Sequence, residues 1–309
     1  MDLIEKAAQK LKRENKASLV ERAAKKLSRS DNEAVPVDGG DQPVVPHRRK
    51  IVTPPAGRRS RREEIDLEAL DSQGMITPVG EPSQIAEEFR VIKRSLLAKA
   101  FDKRDRGIKN SNLILVSSAQ PGEGKTFCAV NLAMSVASER DLTVLLVDAD
   151  FANPSVLQNL GLSGGNGLFD VIDDENIDLA DCLIRTNLDN LSVLPAGRRH
   201  SLTTELLASD RMRDIADEIV MRYPDRLIIF DSPPVLASSA PGTLASFVGQ
   251  ILFVVEADKT TASQVKAALM QINACENVSL ILNKNRLASG SEMFASYYTQ
   301  YYGHHKRTA

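Results

Sequence analysis

The sequence predicts an α/β fold with three layers and a mostly parallel sheet, on three observations. Apolar strand-like runs alternate with helix-like runs from residue 113 to residue 283, the pattern of right-handed crossovers between parallel strands. Several strand-like runs are apolar without a break, as in Leu227-Ile228-Ile229-Phe230 and Ile251-Leu252-Phe253-Val254-Val255, which suits strands buried on both faces. Between the apolar stretch Leu113 to Val116 and the helix-like stretch Phe127 to Ser138 lies Ala119-Gln120-Pro121-Gly122-Glu123-Gly124-Lys125-Thr126, a fit to the Walker A pattern. That strand–loop–helix context turns a short pattern into a phosphate site, so the domain reads as a P-loop NTPase domain.

Taken in order, residues 1–80 differ from the rest. Leu3-Ile4-Glu5-Lys6-Ala7-Ala8-Gln9-Lys10-Leu11 recurs as Leu19-Val20-Glu21-Arg22-Ala23-Ala24-Lys25-Lys26-Leu27. Asp2 and Ser18 precede the copies as N-caps. Apolar residues at helical spacing predict two short amphipathic helices with a basic face. Helices this short are marginal alone in water, so they order against a partner protein or an anionic membrane surface, or they fray. From Asp31 to Gly80 the chain is rich in proline and carries the basic clusters His47-Arg48-Arg49-Lys50 and Arg58-Arg59-Ser60-Arg61-Arg62. This composition reads as a disordered linker, whose clusters either touch anionic lipid heads, giving a candidate membrane contact through residues 1–62, or touch nucleic acid, or are simply solvated. The folded domain is expected from Glu81 to residue 290, and residues 291–309 form a tail.

Within the domain, Ser83 caps a helix over 83–101 with Ile85, Phe89, Ile92 and Leu96 on one face. Strands are expected at 113–118, 143–149, 191–195, 226–231, 250–256 and 279–283. Helices are expected at 125–139, 203–222, 238–247 and 261–273. Composition excludes several functions. The net charge is −2, so no global basic field points to specific nucleic-acid binding. Cys128, Cys182 and Cys275 lie far apart with no metal-type spacing, the usage of buried thiols in a reducing cytoplasm. No apolar run reaches the ~18 residues that span a bilayer, and the start Met1-Asp2-Leu3-Ile4-Glu5-Lys6 is too charged for a secretory signal. The expectation is a cytoplasmic protein that reaches a membrane only through a surface contact or a partner.

The chemistry sits at strand ends. Amides of Gln120, Pro121, Gly122, Glu123, Gly124 and the residues after them (proline excepted as a donor) wrap a polyphosphate, and the following helix N-terminus adds partial positive charge. Lys125 reaches the β- and γ-phosphates, and the Thr126 hydroxyl holds Mg²⁺. Two further strands end in carboxylates: Leu145-Leu146-Val147-Asp148-Ala149-Asp150 and Leu227-Ile228-Ile229-Phe230-Asp231-Ser232-Pro233-Pro234. An Asp at the end of a buried strand is costly unless it meets a cation or donors, and Mg²⁺ beside a P-loop is such a cation. Asp231 fits the Walker B role. Of Asp148 and Asp150, one can bind metal while the other takes a proton from an attacking hydroxyl, or Asp150 caps the next element.

With this motif set, the chain resembles the bacterial tyrosine kinases over residues 81–302. In that family the Asp-x-Asp strand is called Walker A′. Glu87-Glu88-Phe89-Arg90-Val91-Ile92-Lys93 is similar to the family's Glu-x-x-Arg-x-x-Arg helix, which packs subunits into rings. Leu194-Pro195-Ala196-Gly197, Glu205-Leu206-Leu207-Ala208-Ser209 and Leu280-Ile281-Leu282-Asn283-Lys284 also resemble family segments. The resemblance implies ATP and Mg²⁺ as cofactors and Lys125, Asp148 and Asp150 as catalytic residues. It implies Thr126, Asp148 and Asp231 at the metal, and Phe127 and Asn283 among the nucleotide contacts. It makes Glu87, Arg90 and Lys93 the oligomer interface. It also gives meaning to Tyr297, Tyr298, Tyr301 and Tyr302, four of the five tyrosines, as phosphoacceptors that a neighbouring subunit modifies. The implied partners are further copies in a ring and a separate membrane chain-length regulator of polysaccharide export. Kinases of exopolysaccharide loci associated with PEP-CTERM sorting are most similar in the duplicated N-terminal helices. The chain departs from the family at Phe151-Ala152-Asn153-Pro154, where an arginine usually precedes the proline, and at Lys93, which replaces arginine.

Two rival functions share the fold. A ParA/MinD-like dimerising ATPase switch needs a lysine early in the loop, where this chain has Gln120 followed by Pro121. A non-catalytic scaffold would bind nucleotide only to assemble.

Overall fold

The computed structural model describes residues 61–80, 83–101, 108–198, 203–222 and 225–285. Its centre is an eight-stranded sheet. In chain order the strands are β1 (Arg61–Arg62), β2 (Leu113–Ser118), β3 (Thr143–Asp148), β4 (Ile184–Arg185), β5 (Leu191–Leu194), β6 (Arg226–Asp231), β7 (Gln250–Glu256) and β8 (Val278–Asn283). Across the sheet they run β1-β4-β5-β3-β6-β2-β7-β8. All pairs are parallel except β4–β5, which is antiparallel. The apolar runs fill the middle: β2 is buried along its length, and so are most of β6 and β7.

Period-two alternation divides the core. Leu113 and Leu115 of β2 face one apolar cluster, and Ile114 and Val116 face the other. On the first face lie α5 (Leu168–Asp173), α6 (Leu179–Cys182), α7 (Thr203–Leu207), α8 (Asp210–Arg222), α9 (Ala240–Leu244) and α10 (Ala262–Gln271). On the second lie α1 (Leu67–Ser72), α2 (Gln84–Ala100), α3 (Lys125–Ala137) and α4 (Val156–Leu160). Helix layers on both faces give the three-layer architecture that the sequence predicts.

Several boundaries differ. The fold does not begin at residue 81. Ile65, Leu70, Met75 and Ile76 are buried in the second core cluster, and β1 pairs with β4. Asp66 caps α1 through the Ala69 N–H at 2.9 Å. Asn187 clasps the Ile65 backbone, accepting its N–H at 2.9 Å and donating to its carbonyl at 3.0 Å. The buried Asn131 of α3 accepts the Ile76 N–H at 2.7 Å. The proline-rich, basic composition of 31–80 conceals this short apolar series. The expected helix over 203–222 is two helices. Between them the Ser209 hydroxyl accepts the Met212 N–H at 3.2 Å, a cap that starts α8. Helices α4, α5 and α6 and strand β4 were not expected, because each is too short to show a period. The duplicated N-terminal helices and the tyrosine cluster lie outside the described residues.

The helix over 83–101 forms as α2, with the Ser83 hydroxyl accepting the Ala86 N–H at 3.3 Å. Its buried stripe is Phe89, Lys93, Leu96 and Ala100. Lys93, expected at an oligomer interface, instead points into the domain and is 5% exposed. Its ammonium donates to the Ser135 carbonyl in the last turn of α3 at 2.9 Å and to Glu139 at 2.5 Å. The cause is position: four residues after Phe89, Lys93 shares the buried face. Glu87 and Arg90 form an ion pair with each other, and Arg90 is largely exposed.

Candidate active site

Sheet register brings the acidic strand ends together. Val116 of β2 and Asp148 of β3 are both neighbours of Asp231 on β6. The Walker A loop leaves β2 at this end, so loop and carboxylates share the carboxyl edge of a parallel sheet, where ligands of such folds bind.

The loop is held by its own residues and by β8. Gly122 has φ +82° and Gly124 φ +91°, a conformation that favours glycine. The Glu123 side chain is 2% exposed. It turns back to accept the Gln120 N–H at 2.8 Å and the Thr260 hydroxyl. The Gln120 carbonyl accepts the Ser118 hydroxyl at 3.0 Å, and Pro121 is exposed. Phe127 packs against the second core cluster. Asn283, the last residue of β8, donates its amide to the Glu123 carbonyl at 2.8 Å.

Around the loop the charged groups are paired. Lys125 meets Asp150 with Nζ–Oδ2 at 2.8 Å. Thr126 donates its hydroxyl to Asp231 Oδ2 at 2.7 Å and accepts from Ser155 at 3.2 Å. Asp148 accepts the N–H groups of Asp150 at 3.2 Å and of Ser155 and Val156 at 3.0 Å, so it also anchors the Walker A′ loop to the start of α4. Asp150 caps as well, accepting the Asn153 N–H at 3.1 Å. Burial pushes the Asp148 carboxyl up to about 6, against the pull of those backbone donors. Burial pushes Asp231 up to about 7, only partly offset by Lys125 and the Thr126 hydroxyl. Raised this far, the two carboxyls titrate near neutral pH, and a bound cation would favour their ionised forms.

A divalent cation fits here. Asp231 Oδ1 is buried with no hydrogen-bond partner, beside the Thr126 hydroxyl. This is an all-oxygen donor set of the kind Mg²⁺ takes, with one or two carboxylates and the rest from phosphates and water. Among the described residues no three His, Cys, Asp or Glu side chains are arranged to hold a metal ion by themselves, so phosphate and water oxygens would complete the shell.

Of the residues singled out from the sequence, the structure gathers Gln120 to Thr126, Asp148, Asp150, Asp231 and Asn283 at one site. Lys93, Glu87 and Arg90 lie on α2 instead. Ser155, Thr260, Glu256 and Lys284 were missed. Ser155 directly follows the proline of the Walker A′ loop, a signal available in the sequence, whereas Thr260 and Glu256 come near only through the sheet.

Comparison with known proteins agrees with this geometry. The AAA domain family matches residues 111–289, more than half of the chain. The chain is 30% identical over 223 residues to the tyrosine-protein kinase YwqD of Bacillus subtilis (strain 168), covering 71% of this chain and 90% of YwqD. With the tyrosine-protein kinase Wzc of Salmonella typhimurium the identity is 28%, and the match covers 74% of this chain but only 31% of that longer protein. The kinase domain of Escherichia coli tyrosine kinase ETK superimposes with a TM-score of 0.59 at 25% identity, covering 74% of this chain and 86% of that one. The chimerical protein CapA2B2 gives a TM-score of 0.56 at 26% identity, covering 69% and 97%. A P-loop facing two acidic strand ends, in a fold and sequence shared with these kinases, places the chain in the bacterial tyrosine kinase family.

Proposed function

We propose that the protein transfers the γ-phosphoryl group of ATP to tyrosines of its own C-terminal cluster, Tyr297, Tyr298, Tyr301 and Tyr302, on a neighbouring copy. The observation that carries this reading is the meeting of Lys125, Thr126, Asp148, Asp150 and Asp231 at one sheet edge. ATP displaces Lys125 from Asp150, and the ammonium then neutralises charge on the β- and γ-phosphates. Thr126 and Asp231 would hold Mg²⁺, with Asp148 beside them. The cation would neutralise charge on the transferring group and its leaving oxygen. An unactivated phenol has a pKa near 10, so a carboxylate must take its proton as the new bond forms. Asp148 serves as that base. Three of its roughly four lone-pair positions accept backbone N–H groups, which leaves one for the proton. The tyrosine oxygen bonds to the γ-phosphorus, the bond to the β–γ bridging oxygen breaks, ADP leaves, and Asp148 carries the proton away.

The finer reading follows the family resemblance. Glu87 and Arg90 exchange their mutual ion pair for contacts between copies in a ring. A separate membrane chain-length regulator recruits the kinase to the inner face of the cytoplasmic membrane, where it controls exopolysaccharide polymerisation and export. Phosphates on the cluster, each adding nearly two negative charges, repel one another and the acidic site and favour disassembly. A ParA/MinD-like switch is disfavoured because Gln120, at the position of the trans-acting lysine, carries no charge and its backbone is tied to Glu123.

Mass spectrometry of the C-terminal peptide after incubation with Mg-ATP tests the reading, wild type beside Lys125→Met. Phosphate on Tyr297–Tyr302 in the wild type alone is the expected outcome. Equal labelling in the variant would remove Lys125 from the mechanism.

A further inference from the structure

Two consecutive carbonyls of the Walker A loop are held from outside the loop. The Lys284 ammonium donates to the Gly122 carbonyl at 2.6 Å, and the Asn283 amide donates to the Glu123 carbonyl at 2.8 Å. Lys284 is one of few non-glycine residues with positive φ among those described, at +58°, a conformation that costs free energy and persists only when its surroundings enforce it. Its ammonium also meets Glu256 Oε1 at 3.3 Å. Glu256 in turn binds Lys259 at 3.1 Å, and these lysines, Lys259 first, hold its carboxyl below the usual range. The approach of Asn283 is close: a Cβ on Gly124 would stand 2.2 Å from its amide nitrogen.

We propose that Asn283 and Lys284 are positioning residues that preset the phosphate-binding amides of the loop. The inference rests on the nucleotide-binding reading of this site. A trans peptide is planar, and its C=O and N–H point in opposite directions. Tying the Gly122 carbonyl to Lys284 therefore aims the Glu123 N–H away from β8. Tying the Glu123 carbonyl to Asn283 does the same for the Gly124 N–H. A loop free to flip either peptide would present a carbonyl oxygen where the anion must bind, and repel it. The brace removes that alternative before nucleotide arrives. Lys284 acts through the loop backbone and not on a phosphate. It supplies a charge-assisted bond, stronger than a neutral one, from a side chain that is nearly half exposed.

The test is calorimetric binding of Mg-ATP and Mg-ADP to the full chain, with steady-state kinase assays, for wild type, Lys284→Met, Lys284→Arg and Asn283→Ala. Losing one charge-assisted bond to the loop is expected to weaken ATP and ADP equally, by about tenfold. KM for ATP should rise in parallel, kcat at saturating ATP should stay within about twofold, and the thermal midpoint should be unchanged. Lys284→Arg should recover most of the affinity, and Asn283→Ala should weaken both nucleotides in the same way. A loss confined to ATP would make Lys284 a γ-phosphate ligand and overturn the proposal. So would wild-type affinity in Lys284→Met, or a fall in kcat at unchanged KM. Failure of the wild type to bind either nucleotide would overturn the functional reading itself, an outcome separate from all of these.

Discussion

At the scale of single residues, the site stores charge in neutral or paired form. Lys125 rests on Asp150 at 2.8 Å, so nucleotide must exchange one anion for another and does not meet a bare cation. Asp148 and Asp231, pushed up to about 6 and about 7 by burial, bind protons more tightly folded than unfolded. Stability from this source is fully present below the ordinary carboxylate range and is lost as pH rises through those values. The thermal midpoint of metal-free protein is therefore expected to fall from about pH 4 to about pH 7, and Asp231→Asn should flatten part of that slope. Stabilisation by Mg-ADP should grow over the same interval, because the cation favours the ionised carboxylates. Differential scanning fluorimetry across buffers reads both. A midpoint that rises with pH would show that burial is not the dominant influence on these groups.

At the scale of elements, α2 and α3 are joined by a charge as well as by apolar packing. The Lys93 ammonium sits at the C-terminal end of α3, where unpaired carbonyls carry partial negative charge, and it satisfies Ser135 directly. Removing it leaves a buried acceptor without a partner. Lys93→Ala should therefore destabilise the domain by about 1–3 kcal/mol in urea titration, without changing self-association measured by light scattering. A normal urea midpoint with weakened self-association would return Lys93 to the oligomer surface. The start of α2 was legible as its Ser83 cap, whereas α1, capped by Asp66, lay hidden in a stretch that reads as linker. The break between α7 and α8 was not legible, because Ser209 interrupts a run whose period continues on both sides.

At the scale of the whole molecule, the domain is longer at its start than composition suggests. Ile65, Leu70, Met75 and Ile76 each bury a side chain that contributes about 1.5–3 kcal/mol, in a fold whose net stability is on the order of 5–15 kcal/mol. A chain beginning at residue 81 should therefore melt far below one beginning at residue 58, or fail to fold, as circular dichroism would report. Equal melting of the two would mean that residues 61–80 are only loosely attached.

The sequence by itself determined the layer architecture, the Walker loop and its flanking elements, and the identity of the acidic strand ends. These are local features, written in periodicity, unbroken apolar runs and glycine placement. The tertiary structure decided which local features meet. Parallel register set Asp148 beside Asp231. The sheet order laid β8 next to β7, and the end of β8 carries Asn283 and Lys284 onto the Walker loop. Packing of α2 against α3 turned Lys93 inward, and a short apolar series after the basic cluster joined the core. Each of these pairs residues tens of positions apart, and no period in a single chain records which distant neighbour will lower the free energy of a buried charge or carbonyl.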